Sequence, residues 1–169
     1  INSSRGENVN QKDLLIALKN KIIAGAALDV LYQDTFWYNK IPENFNYNSV
    51  ILSGSPSSVN QSKPPFPNLE SINSSIPILG ICYGLQLLTK LYGGRVKSFK
   101  KNREFGRALL IKKKVSILTK GFLNKKTIVW MSHQDAVTSL PIGFSRVAST
   151  EDSINTIIEN KKKKIYGIQ

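Results

Sequence analysis

One cysteine and one histidine are the residues of this chain best suited to covalent or acid–base chemistry. Cys82 stands between Gly80 and Gly84. That spacing is the one a nucleophile elbow needs, with cysteine in the place of serine. A turn this tight leaves no room for side chains two residues to either side, and glycine removes the crowding. The helix expected after Cys82 aims its free N–H groups at the sulfur. Such groups favour thiolate over thiol and can also hold an oxyanion. A lone cysteine is most often a small buried hydrophobe. The flanking glycines turn the balance here towards a nucleophile. His133 lies in Trp130-Met131-Ser132-His133-Gln134-Asp135-Ala136-Val137, a stretch that reads as a turn after a strand. It is either a pocket residue or a turn histidine bonded to backbone.

The elements around Cys82 support the elbow. Ile76 to Ile81 is a short apolar run behind Ser74-Ser75, as in a buried strand. Leu85, Leu88 and Tyr92 recur at helical spacing, and Gly93-Gly94 stops that helix. Val50-Ile51-Leu52 reads as a second buried strand, followed by the turn Ser53-Gly54-Ser55-Pro56. Gly94 to Val96, Ala108 to Lys112, Thr127 to Trp130, Arg146 to Ser149 and Asn155 to Ile158 read as further strands. Arg103-Glu104-Phe105-Gly106 reads as a turn, Lys161 to Lys164 as a hairpin tip, and Ile165 to Gln169 as the returning strand.

Composition narrows the class. A chain of 169 residues with 41% hydrophobic content can bury a single sizeable core. No apolar run reaches membrane-spanning length, so no membrane partner is expected. One cysteine allows no internal disulfide, which fits a reducing, cytoplasmic setting. One Cys and one His make no ordinary zinc site, and no metal is expected. The net charge of +13 raises the question of nucleic acid. The lysine clusters at Lys97 to Arg103, Lys112 to Lys114, Lys125-Lys126 and Lys161 to Lys164 lack interleaved aromatics and lie beside turn signals. They read as solvated loops and hairpin ends, so nucleic acid is not the expected partner.

Pro77 to Gln86 resembles the nucleophile motif of class I glutamine amidotransferases. Ile51 to Val59, Arg103 to Gly106, Trp130 to Val137, Val147 to Glu151 and Ile165 to Gln169 keep the same motif order. They narrow the likeness to the glutaminase domain of the GMP synthases. The resemblance implies a nucleophile at Cys82 and an oxyanion hole from the backbone of Tyr83 and of Gly54 and Ser55. It implies a glutamine pocket built from Gln86, Ser132, His133, Gln134 and Asp135. Ser55 stands where the family has glycine, and a positive φ there would strain it. The family's catalytic histidine and glutamate belong to a Phe-His-Pro-Glu stretch after the strand that here reads Tyr166-Gly167-Ile168-Gln169. Without them the chain is expected to be nearly inactive. The family's ATP-pyrophosphatase domain, with its Ser-Gly-Gly-x-Asp-Ser phosphate loop, ATP and Mg, is the implied partner. No cofactor is expected in this chain itself.

Residues 1–34 resemble instead a fragment of the D-isomer-specific 2-hydroxyacid dehydrogenases. Arg5 matches a substrate-carboxylate arginine, Asp29 a residue at the nicotinamide end of NAD, and Asp34 an acid that orients a histidine. No Gly-x-Gly-x-x-Gly cradle accompanies them, so NAD is not an expected cofactor. Asn10 can cap a helix with an apolar face at Leu14, Leu15 and Leu18, and Ile22 to Leu31 reads as a strand. A recombined, fused or wrongly assembled coding sequence is one explanation, and a composite domain is the other. The chain opens on Ile1 rather than Met, so a preceding segment is expected.

The expected organisation is a dehydrogenase-like strand-helix-strand segment over 1–34, a linker over 35–48 and a partial amidotransferase domain over 49–169. The fold class is α/β: a mostly parallel central sheet flanked by helices, with a small antiparallel part, atypical at its start and incomplete at its end. The expected function is the glutaminase part of purine-making GMP synthesis, in which glutamine supplies ammonia to XMP. The rival readings are another class I amidotransferase, a dehydrogenase fragment, and a non-catalytic nucleic-acid-binding module.

Overall fold

The computed structural model describes residues 10–22, 48–66, 69, 75–99, 104–121 and 123–169. Arg5, Asp29, Asp34, Arg103, most of the expected linker and all but Ile22 of the strand expected over 22–31 lie outside these residues.

Helix α1 spans Gln11–Lys19, and the Asn10 side chain caps it by accepting from the N–H groups of Lys12 and Asp13 at 3.1 and 3.3 Å. The main sheet begins with three short strands, β1 (Val50–Leu52), β2 (Ile78–Ile81) and, last in the chain, β9 (Ile165–Ile168). These three run parallel, with Leu52 beside Gly80 and Gly80 beside Gly167. Helix α2 (Tyr83–Leu91) follows β2 directly and packs across them. Gly93, at φ 86°, lets the chain leave the helix.

The remaining strands are β3 (Arg95–Ser98), β4 (Glu104–Lys112), β5 (Lys126–His133), β6 (Asp135–Ser139), β7 (Ser145–Ser149) and β8 (Ile157–Asn160). The seven-stranded sheet runs β1-β2-β9-β8-β7-β4-β5, and β3 pairs with β6 in a separate ribbon. The sheet is therefore parallel only over β1, β2 and β9, and antiparallel from β9 to β5. This corrects the expectation of a mostly parallel sheet. Tight connections, such as the exposed turn from Lys161 to Lys164, can join only antiparallel neighbours, whereas parallel pairs need a crossover.

Two local expectations also change. Glu104, Phe105 and Gly106 belong to β4 rather than to a turn, because they pair with His133, Ser132 and Met131 of β5. Gly106 supplies its turn signal as a bend within the strand, at φ 94°. Ser132 and His133 close β5 and Asp135 opens β6, so Gln134 alone makes the corner between them.

The core gathers on either side of the seam at β9. Tyr83, Leu85 and Leu87 of α2 pack with Val59, Val137 and Ile158. Leu110, Leu123, Val147, Ala148 and Ile157 form a second cluster under the antiparallel half. Outside that core, one side of the β4–β5 ribbon leaves Phe105, Leu109, Ile128 and Trp130 open to water. Among the described residues, no helix is long and apolar enough to cross a membrane.

Candidate active site

The strand-to-helix corner is built as its residue types require. Cys82 has φ 49° and ψ −105°, a conformation that side chains resist, and it is the N-cap of α2. A Cβ on Gly84 would lie 2.1 Å from the carbonyl oxygen of Leu52, and one on Gly80 would lie 2.5 Å from the carbonyl carbon of Gly84. Only glycine at both places lets β1, β2 and α2 close on one another. The N–H of Cys82 donates to Ile168 at 2.7 Å and its carbonyl accepts from Gln86 at 3.1 Å, which holds the strained turn from both sides.

The thiol opens into a cleft of about 260 Å³. One wall is the loop after β1, with Ser55, Pro56, Ser57 and Ser58. The other is the β5–β6 corner, with Ser132, His133, Gln134 and Asp135. Tyr83, Gln86 and Phe105 complete the lining. Gly54 is not among the lining residues, but a Cβ built on it would lie 3.8 Å from Cys82 Cβ, so the turn abuts the elbow. Residues expected from distant stretches of sequence thus share one cavity.

Two expectations about this site change, and a third residue, Gln86, gains protein partners while still lining the cleft. Ser55 does not adopt a positive φ, because among the described non-glycine residues only Lys21, Cys82 and Lys164 do. Its substitution for glycine is therefore unstrained, and its hydroxyl accepts from Ser57 N–H at 3.1 Å. The thiol is also not biased towards thiolate: burial pushes the Cys82 pKa up. Finally, the Gln86 side-chain nitrogen is engaged by protein. It donates to the Asp135 carbonyl at 3.0 Å and to Gln169 Oε1 at 3.3 Å, so it braces the far wall from below.

The histidine is paired as well. His133 Nε2 lies 3.0 Å from Glu104 Oε2, and both side chains are 7% exposed. Glu104 and Ser58 were not singled out as site residues from sequence. Glu104 sits in a stretch that looked like a turn. Ser58 sits three residues past Ser55 in the loop beside the elbow, and that proximity was the available signal.

The sequence model of the family described as Glutamine amidotransferase class-I matches residues 14–169. The chain belongs to the class-I glutamine amidotransferases. The match takes in residues 14–34, within the segment that resembles a dehydrogenase. Among curated relatives, this amidotransferase is 42% identical over 127 residues to a GMP synthase [glutamine-hydrolyzing] of Prochlorococcus marinus, covering 75% of the chain and 24% of the relative. It is 40% identical over 154 residues to the corresponding protein of Treponema denticola, covering 89% of the chain and 29% of the relative. The chain therefore spans about a quarter of the length of these relatives. A solved glutamine amidotransferase of Thermotoga maritima superposes with a TM-score of 0.66 over 94% of this chain and 67% of that one, at 24% identity. That likeness speaks for the fold.

Proposed function

We propose that this amidotransferase chain is the glutaminase part of a GMP synthase. The observation that carries the reading is the strained Cys82 elbow opening between two polar walls. Its curated relatives at about 40% identity point the same way. The Cys82 sulfur attacks the side-chain amide carbon of glutamine. The N–H groups of Tyr83 and of the Gly54-Ser55 turn hold the oxyanion that forms. The carbon–nitrogen bond then breaks, ammonia leaves with a proton from the base, and water cleaves the thioester to glutamate and free thiol.

Because burial favours the neutral thiol, a base must take its proton before attack. By family resemblance that base is the histidine of a Phe-His-Pro-Glu stretch after the β9 strand. The His133–Glu104 contact favours a second reading, in which His133, oriented by Glu104, is the base. Ammonia passes to XMP on an ATP-pyrophosphatase domain, where ATP and Mg belong. The sequence holds no phosphate loop of that domain's kind, so their chemistry lies outside these residues.

The test is alkylation by a diazo-ketone analogue of glutamine, read by mass spectrometry, beside glutamate release. The reading expects one adduct, on Cys82, and its suppression by glutamine. No adduct on a folded chain extended through the Phe-His-Pro-Glu stretch refutes it. Glutamate release by the 169-residue chain at an ordinary enzymic rate, lost in His133→Gln, assigns the base to His133. Near-silence of the same chain argues against His133 as the base.

A further inference from the structure

The outer side of the β4–β5 ribbon mixes rings with cations. Strand register sets the pattern: Arg107 stands opposite Trp130, and Leu109 opposite Ile128. Alternation puts these four on one side with Phe105 and Lys126, and all six are exposed, Trp130 at 75%. Of the six, Phe105 alone lines the cleft. No Asp or Glu lies on this side of either strand. Among the described residues, neither Arg107 nor Lys126 forms an ion pair. The lysine clusters of the sequence lack neighbouring aromatics, but here the pairing of two strands brings rings and cations together.

Each property narrows the partner. The rings call for a flat apolar surface, and the unpaired cations call for anions. A second copy of the chain offers the first but meets Arg107 and Lys126 with its own cations, and each copy carries +13. A nucleic-acid duplex offers phosphates but keeps its bases stacked inside. An open strand offers both, because every base has a face that stacks on a ring and every nucleotide brings a phosphate. The dimensions fit such a strand. β5 is eight residues long, so the face runs for about 25 Å. β5 is also the last strand of its sheet, which leaves the face open along that edge among the described residues. Phe105 and Trp130 are diagonal neighbours across the two strands, about 7–8 Å apart at the backbone. Two successive bases can lie on them, with Arg107 beside both rings for the phosphate that joins the bases.

We propose that the outer side of the β4–β5 ribbon binds single-stranded nucleic acid. Bases stack on Trp130 and Phe105, and phosphates meet Arg107 and Lys126. Leu109 and Ile128 make the apolar ground between them. Binding there needs nothing from Cys82, so it is independent of glutamine hydrolysis.

The test is fluorescence anisotropy of a labelled oligothymidine of about 12 nucleotides with the 169-residue chain at about 50 mM salt. Circular dichroism checks that each variant is folded, and the exposure of Trp130 makes its replacement harmless to the core. The wild type should bind the single strand roughly tenfold or more tighter than a duplex of the same length. Trp130→Ala should weaken binding roughly 5- to 100-fold, the loss of one stacked base, and Trp130→Phe should restore most of it. Arg107→Gln should reduce the slope of log affinity against log salt by about 0.7. Lys162→Gln, on the turn between β8 and β9, should leave affinity and slope unchanged. Equal binding of duplex and single strand overturns the proposal, because charge alone then accounts for it. So does wild-type affinity in Trp130→Ala, or no binding by the wild type at this salt. A wild type that sediments as a dimer beside a monomeric Trp130→Ala gives the face to a second copy. A Trp130→Ala chain that keeps the oligonucleotide but loses its hold on an ATP-pyrophosphatase domain gives the face to a protein. Either result also overturns the proposal.

Discussion

Replacing Cys82 by glycine and by alanine separates backbone strain from side-chain chemistry. Cys82 holds φ 49° and ψ −105°, where a Cβ is disfavoured and a glycine is at ease. Such strain costs about 1–3 kcal/mol. Alanine keeps the strain and removes only the sulfur, whose half-buried surface is worth less than about 1 kcal/mol. Glycine removes the strain as well, but its freer unfolded chain returns about 0.5–1 kcal/mol. The Cys82→Gly protein should therefore be more stable than Cys82→Ala by about 0.5–2 kcal/mol. For a chain of this size that raises the melting temperature by about 2–6 °C. Calorimetry or urea unfolding followed by circular dichroism reads the difference directly. Both variants lack the nucleophile, so activity does not confuse the comparison. If Cys82→Gly melts at or below Cys82→Ala, the corner is not strained and the reasoning from its geometry is wrong.

Gly84→Ala should fail more severely, because the new Cβ would stand 2.1 Å from the backbone oxygen of Leu52. A loss of about 2–4 kcal/mol in urea unfolding is expected, well beyond the gain alanine brings to a helix; a neutral result would mean that β1 is not seated against α2. Glu159 gives a pH prediction. Burial pushes its carboxyl up, but the Ser116 hydrogen bond together with Lys114 and Lys161 outweighs burial and holds its pKa below the ordinary carboxylate value. Lys114 Nζ lies 2.9 Å from its Oε1. A lowered pKa contributes stability at neutral pH that is lost as pH falls through the folded value. Glu159→Gln should thus cost about 1–3 kcal/mol at pH 7, with the two unfolding curves converging below about pH 4. Curves that stay parallel at all pH values would show that the lysines do not stabilise the carboxylate.

The elbow was legible because its demands are local. Gly80, Cys82 and Gly84 lie within five residues, and the close approaches that forbid side chains there follow from a tight strand-to-helix turn. The strand segments were legible for the same reason, as apolar runs between turn residues. Their directions were not. Whether β8 runs with or against β9 depends on which strand the chain returns to, and residue types carry that only through loop length. Glu104 was missed because a charged residue before Phe-Gly looks like a turn. Its pairing with His133 depends on a register set along the whole of β4 and β5. Ser58 reaches Asp135 across 77 residues of sequence, a separation at which no periodicity or spacing speaks. The relation between Cys82 and its proton was misjudged, since burial by the walls only appears once the walls are assembled.

The apolar side of the β4–β5 ribbon bears on how the protein behaves in a test tube. Phe105, Leu109, Ile128 and Trp130 offer neighbouring molecules a sticky surface, and in dilute buffer the +13 net charge keeps those molecules apart. Salt at about 1 M shrinks the reach of that repulsion to about 3 Å while leaving the attraction between greasy surfaces intact. Concentrated stocks should therefore be clear at low ionic strength and turn cloudy as salt is added, the reverse of what a protein held in clusters by opposite charges would do.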